Sequence, residues 1–281
     1  MDELSGKVAV VTGAGSGIGA GMAIQFARRG MRVAVADIEQ AALADTIATV
    51  ASEAPDAQLL AQVVDVTSAL QVQALADSVY HEWGSVDLLC NNAGVFVGGL
   101  MWERSIEDFE FTLGVNLYGI LHGIRAFVPR MIAQGTEAHV VNTSSVAGLL
   151  GSPYAGPYGI SKFAAFAATE SLAGDLIATG SEVRAHVLCP GTIRTRIAES
   201  ERNRPAELLS GRTVDQDLVD GFLADTVAGG MGPEKVADIV LEALRHDDQF
   251  LILTHPGFAE QAEARGAALR TLRLPAIPDL G

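Results

Sequence analysis

In the stretch AGPYGISKF, Ala155 to Phe163, a tyrosine and a lysine stand four positions apart among small and apolar residues. On a helix that spacing places Tyr158 and Lys162 one above the other on the same face. A phenol titrates near ~10, and a neighbouring ammonium lowers that value, so the pair has the chemistry of a proton-transfer device. The same spacing also suits an ordinary surface pair. A second group with chemical meaning is the glycine-rich TGAGSGIGAG, Thr12 to Gly21. Gly13, Gly15, Gly17 and Gly19 follow an apolar run and open an amphipathic one, the context in which a pyrophosphate approaches backbone N–H groups at a helix N-terminus. Asp37 stands 18 residues beyond Gly19, where a carboxylate accepts hydrogen bonds from ribose hydroxyls and also suits the start of the next helix. A 2′-phosphate there would meet like charge. Ser16 and Ile38 occupy the positions where an NADP site would carry bases, so the expected cofactor is NAD.

These residues need a frame that brings them together. Seven apolar runs near 7–12, 32–37, 57–65, 86–92, 138–144, 183–190 and 249–254 read as strands without polar alternation, the mark of a parallel sheet covered on both faces. Helical stretches near 17–29, 39–52, 68–83, 105–133, 157–178 and 233–245 lie between them. The expected fold is therefore α/β, a doubly wound parallel seven-stranded sheet of the Rossmann type, in a single domain. Ligands of such sheets bind beyond the carboxyl ends of the strands. Asp37, Asp65, Asn92, Ser145 and Pro190 fall at or just past such ends.

In combination these motifs resemble the short-chain dehydrogenase/reductase family in its form of about 250 residues. The resemblance rests on TGAGSGIG at Thr12–Gly19, NNAG at Asn91–Gly94, Asn116 in GVNLYG, Ser145 thirteen residues before Tyr158, the Tyr158-x-x-x-Lys162 pair and PGTIRT at Pro190–Thr195. It implies that Tyr158 is the general acid/base, that Lys162 and the positive nicotinamide together lower its proton affinity, that Lys162 also holds the nicotinamide ribose, and that Ser145 fixes the substrate oxygen. It further implies that Asn116 supports a water-linked proton path to Lys162 and that Asp65 contacts the adenine. The implied cofactor contacts are Gly13, Ser16, Gly17, Ile18, Gly19, Asp37, Asp65, Val66, Asn92, Ala93, Gly94, Tyr158, Lys162, Pro190, Gly191, Thr192, Ile193 and Thr195. The implied reaction is NAD-dependent interconversion of a secondary alcohol and a ketone, without metal; a non-catalytic NAD-sensing protein on the same fold is the alternative. A weaker resemblance, in GVNLYGILHGIRAFVPRMIAQG and GSPYAGPYGISK, points to bacterial Cα-dehydrogenases and an apolar or aromatic substrate. Phe96, Ser145, Leu149, Tyr154, Leu208 and Phe222 are the expected pocket, with Met101 and Trp102 adding apolar surface.

The composition narrows the partners. Thirty-four acidic against 19 basic residues give a formal charge of −15, which argues against nucleic acid or an anionic membrane surface and leaves small molecules. The N-terminus has no long apolar stretch, so neither secretion nor a membrane span is expected, and two cysteines in no metal or redox spacing suit the cytoplasm. The helices near 105–133 and 157–178 carry more apolar surface than one sheet-facing stripe needs, and a homotetramer is expected. About forty residues, 194–231, separate the sixth strand from the next long helix, which predicts a mobile substrate lid; residues 255–281 form a C-terminal extension.

Overall fold

Valine, alanine and leucine dominate the seven runs that form the sheet of the computed structural model, which describes residues 1, 3–246 and 248–278. The strands are β1 (Val8–Thr12), β2 (Arg32–Asp37), β3 (Leu59–Val63), β4 (Leu88–Asn91), β5 (Ala138–Thr143), β6 (Val183–Cys189) and β7 (Leu251–Leu253). Every pairing is parallel and the order is β3-β2-β1-β4-β5-β6-β7. Alternation along β1 shows how the layers form. Ala9 and Val11 enter one apolar cluster with Met22, Phe26 and Val240, while Val8 and Val10 enter another with Leu75, Phe127 and Met131. Both faces are buried, so no polar alternation is written into the strand.

The helices are α1 (Gly17–Arg28), α2 (Gln40–Glu53), α3 (Ala69–Trp83), α4 (Ile106–Leu113), α5 (Gly119–Gln134), α6 (Gly156–Ala178), α7 (Val214–Ala228), α8 (Pro233–Ala243) and α9 (Phe258–Arg270). Local signals set their ends. Ser68 accepts from the Gln71 amide at the start of α3, and Gly84, at φ 75°, closes it. Ser105 and Asp108 form a reciprocal capping box on α4.

Two expected elements change, and two expected segments gain detail. The single helix near 105–133 is divided by a π-helical turn, Gly114–Tyr118, which carries Asn116. The third strand is shorter than 57–65 and lies at the sheet edge, where Val63 is exposed because no neighbouring strand covers it. The segment 194–231, expected as a lid, holds a full helix, α7. The extension after 255 begins with α9, no residue of which is buried; its last three positions, 279–281, lie outside the described residues. By length and composition the run Ile106–Gln134 could cross a membrane, but half of its most apolar window is buried within the fold.

Candidate active site

Order reverses between β1 and β4: the chain winds outward to β3 on one side and to β7 on the other. At such a switch point the loops beyond the two strands diverge and leave a crevice. Here it is a cleft of about 510 Å³, running from Asp37 to Tyr158.

At one end the glycine turn packs too tightly for side chains. A Cβ on Gly13 would sit 2.7 Å from the Ala93 Cα, and one on Gly19 would sit 2.1 Å from the Gly13 carbonyl oxygen. Ser16, at the N-cap of α1, makes no side-chain cap, so the first N–H groups of this helix remain for an anion in the cleft. Asp37 accepts from Gly15 N and Glu39 N, both at 2.8 Å, which fixes its carboxylate beside the turn. Asp65 is held by the Thr67 amide and hydroxyl. Glycines for close approach, a helix N-terminus and a carboxylate at the end of β2 fit a dinucleotide. Of the expected cofactor contacts, all except Gly19 line the cleft. Gly19 instead lies against Gly13 and Asn92, where its role is packing.

At the other end, β5 and the N-terminal turns of α6 converge. Lys162 is 3% exposed and donates to the Thr143 carbonyl at 3.0 Å. Burial pulls its pKa down to about 8, which leaves it charged at neutral pH. The two serines separate by role. Ser144 Oγ donates to the Lys162 carbonyl at 2.7 Å, whereas Ser145 Oγ accepts from Ala147 N and keeps its proton for the cleft. Phe96 packs against Tyr158 with ring centroids 4.9 Å apart and the planes tilted by 51°.

The surroundings of Tyr158 and Asn116 bear on proton movement. In the chain alone the Tyr158 hydroxyl is pushed up, because burial outweighs the opposing pull of the neighbouring Ser145; the Lys162 ammonium lies 5.6 Å from the ring centroid. The Asn116 side chain is engaged within the protein. Its Oδ1 accepts from Val95 N, and its Nδ2 donates to Val95 O and Ser161 Oγ. Its side chain ties the Gly94–Val95 wall to α6, so a proton path at this point has only its main chain to use.

The cleft takes in four of the six residues expected in the substrate pocket. Phe96, Ser145, Leu208 and Phe222 line the cleft. Leu149 and Tyr154 do not; Tyr154 is half exposed at φ 59°, and its carbonyl accepts from Gly99 N. Met101 and Trp102 also lie outside the lining and are exposed. The missing apolar wall comes from Phe111 on α4, Leu223 and Val227 on α7, and Phe258 at the start of α9. Phe111 sits within the helical stretch read from the sequence, but its direction depends on the π-helical turn that follows.

Residues 194–231 roof this cleft. Their stem is pinned by Arg194 N to Met231 O at 2.9 Å and Met231 N to Thr192 O at 3.0 Å. Buried charges then bolt the roof to α4: Arg204 pairs with Asp108 at 3.0 Å, and Arg104 reaches Gln216, Thr213 and Asp215. Arg204 also stacks on Phe111. The alternating acids and bases of RIAESERNR were the available signal for such ties.

Comparison with known proteins agrees with this architecture. The short chain dehydrogenase family matches residues 7–206. A CLA biosynthesis dehydrogenase/reductase of Lactiplantibacillus plantarum is 33% identical, over 94% of this chain and 93% of its own. A C alpha-dehydrogenase of Sphingobium is 32% identical, over 96% and 87%. A short chain dehydrogenase/reductase from Burkholderia phymatum, solved in complex with NAD, superposes with a TM-score of 0.95 at 42% identity and 99% coverage of both chains. The chain is an oxidoreductase of the short-chain dehydrogenase/reductase family.

Proposed function

We propose that this protein interconverts a secondary alcohol and a ketone with NAD as the hydride carrier. The single observation that carries this reading is one cleft lined by Asp37 and the glycine turn at one end and by Ser145, Tyr158 and Lys162 at the other. Bound across this cleft, NAD would supply the hydride acceptor for the alcohol carbon, and NADH the hydride donor for the ketone. Asp37 and the α1 N-terminus hold the adenosine ribose and pyrophosphate, and Lys162 reaches the second ribose. Ser145 Oγ–H donates to the substrate oxygen and orients it.

Tyr158 Oη exchanges the proton of that oxygen. Burial keeps the phenol protonated at neutral pH, which suits donation to a ketone. In the oxidative direction Tyr158 must first lose its proton, and each positive charge beside it, beginning with the Lys162 ammonium, lowers that cost. The apolar walls from Phe96, Phe111, Leu208 and Phe222 favour an apolar or aromatic substrate, in keeping with the C alpha-dehydrogenase relative.

The test is absorbance at 340 nm after mixing the protein with NAD and a panel of aryl and alkyl secondary alcohols. Turnover on aryl alcohols is expected; tight NAD binding without turnover on any alcohol or ketone would overturn the catalytic reading in favour of a sensor. A homotetramer is part of the proposal, because α6 is apolar almost all round yet buries few of its residues, and Ile160 and Ile177 are exposed in the single chain. Light scattering at micromolar concentration should give four times the chain mass, and a monomer mass would refute it.

A further inference from the structure

Glu39 occupies the N-cap of α2, where a carboxylate ordinarily bonds the helix's own first N–H groups. It makes no such cap. Its side chain instead crosses to the roof segment. Oε1 accepts from Arg202 Nε at 2.9 Å and from Asn203 Nδ2 at 3.0 Å, and the other oxygen lies 3.7 Å from Arg196 Nη1. Arg202 is itself aimed at Glu39, because its Nη1 is held by the Arg196 and Glu199 carbonyls. Partial burial pushes the Glu39 carboxyl up, but the Arg202 and Asn203 hydrogen bonds, with the Arg202 and Arg196 charges, hold it below the usual glutamate value. The bridge joins residues 163 and 164 positions apart in sequence.

Its place matters more than its strength. Glu39, Arg202 and Asn203 line the same cleft as Asp37 and Ile38, at the end assigned above to the adenosine. The bolts Arg204–Asp108 and Arg104–Asp215 fasten the roof to α4 near the substrate end. The Glu39 bridge fastens it to the start of α2 instead. We propose that Glu39, Arg202 and Asn203 form a latch that shuts the roof over the adenosine half of the bound dinucleotide, so that dinucleotide release requires this bridge to open. The latch rests on the NAD reading above, and Glu39 acts in it as a positioning residue, through Arg202 and Asn203.

Charge-assisted hydrogen bonds on a pair about one-quarter exposed place the gain near one decade at most. The experiment is stopped-flow release of NADH, followed by its fluorescence after a chase with excess NAD. Glu39→Gln and Arg202→Gln are each expected to release NADH roughly 5–10-fold faster than wild type, and the double variant no faster than either single one. Hydrogen exchange of residues 199–204, in the protein without dinucleotide, should quicken in both single variants. Release within twofold of wild type in both singles, or accelerations that multiply in the double variant, would overturn the latch while leaving NAD binding intact. A wild-type protein that binds no NADH would remove the cofactor reading and the latch together.

Discussion

Strands β5 and β6 bury polar side chains at two levels, and the levels behave differently. Beyond their carboxyl ends stand Ser144, Ser145 and Pro190, against Lys162 and Tyr158. Within the strands, four residues before Thr143 and three before Cys189, His139 and His186 stack with ring centroids 5.1 Å apart and a 2.9 Å contact between Nδ1 and Nε2. Both groups hold titratable side chains whose proton affinities are shifted by burial. The first lines the cleft described above, and the histidines do not. The histidines are satisfied within the protein, by one another, by Glu137 and by the Gln249 carbonyl. A perturbed proton affinity therefore marks burial in both places, and geometry at the carboxyl end of the sheet decides which is a site.

The largest effect should come from Tyr158. Tyr158→Phe removes the proton donor but keeps the ring against Phe96, so turnover should fall at least ~100-fold while NADH affinity and Tm stay near wild type. Near-normal turnover would erase the distinction between the two levels. Lys162→Ala should lower turnover and weaken NADH binding as well, since the one ammonium serves both; steady-state kinetics beside an NADH titration separates the two outcomes.

The histidine level should respond to acid instead. Burial, then the charge of His186, pulls the His139 pKa down to about 4, against the opposing pull of Glu137, and burial lowers His186 too. An unfolded histidine titrates near ~6.5, so the pair's contribution is fully present above that pH and is lost as pH falls toward about 4. The His139 shift alone corresponds to a loss of at most about 3 kcal/mol at the acid end. Thermal melts from pH 7 to pH 4 should fall more steeply for wild type than for His139→Leu/His186→Leu, whose turnover at pH 7 should be unchanged. Parallel melting curves would show that the pair carries no such linkage.

Much of this was legible because the informative residues are close in sequence or fixed by strand ends. The glycine turn, Asp37, and Tyr158 with Lys162 each sit where a strand stops or a helix turns once, and the parallel sheet then brings them to one side. Ser145 was named by the resemblance, but the part of Ser144 needed the structure, which turns its hydroxyl to the Lys162 carbonyl; a Cβ on Gly148 would strike Ser144 Oγ. The Glu39–Arg202 bridge was not legible, since nothing local ties a cap position to an arginine in the roof. The pocket walls failed for a related reason: apolar residues in a loop declare burial, not direction. Tyr154 and Leu149 lie close to the catalytic residues in sequence and outside the cleft in space, while Phe258 comes after the last strand and lines it.

That failure supplies the smallest test. Phe222 is 63% exposed and still lines the cleft from α7, so its ring covers the mouth rather than the floor. Truncating a partly exposed apolar side chain removes about 1 kcal/mol of contact, and substrates lose it unequally according to how far they reach the mouth. Phe222→Ala should therefore lower kcat/KM for a bulky aryl alcohol by roughly 3–10-fold and leave a small alkyl alcohol within about twofold. Tyr154→Ala should leave the ranking alone, because what Tyr154 gives the site is a backbone carbonyl to Gly99 and not its ring. NADH affinity should not move in either variant, which separates loss of substrate contact from disturbance of the dinucleotide groove. If Tyr154→Ala reorders the alcohols and Phe222→Ala does not, substrate choice belongs to the loop after β5, and α7 roofs the cleft without reading what enters it.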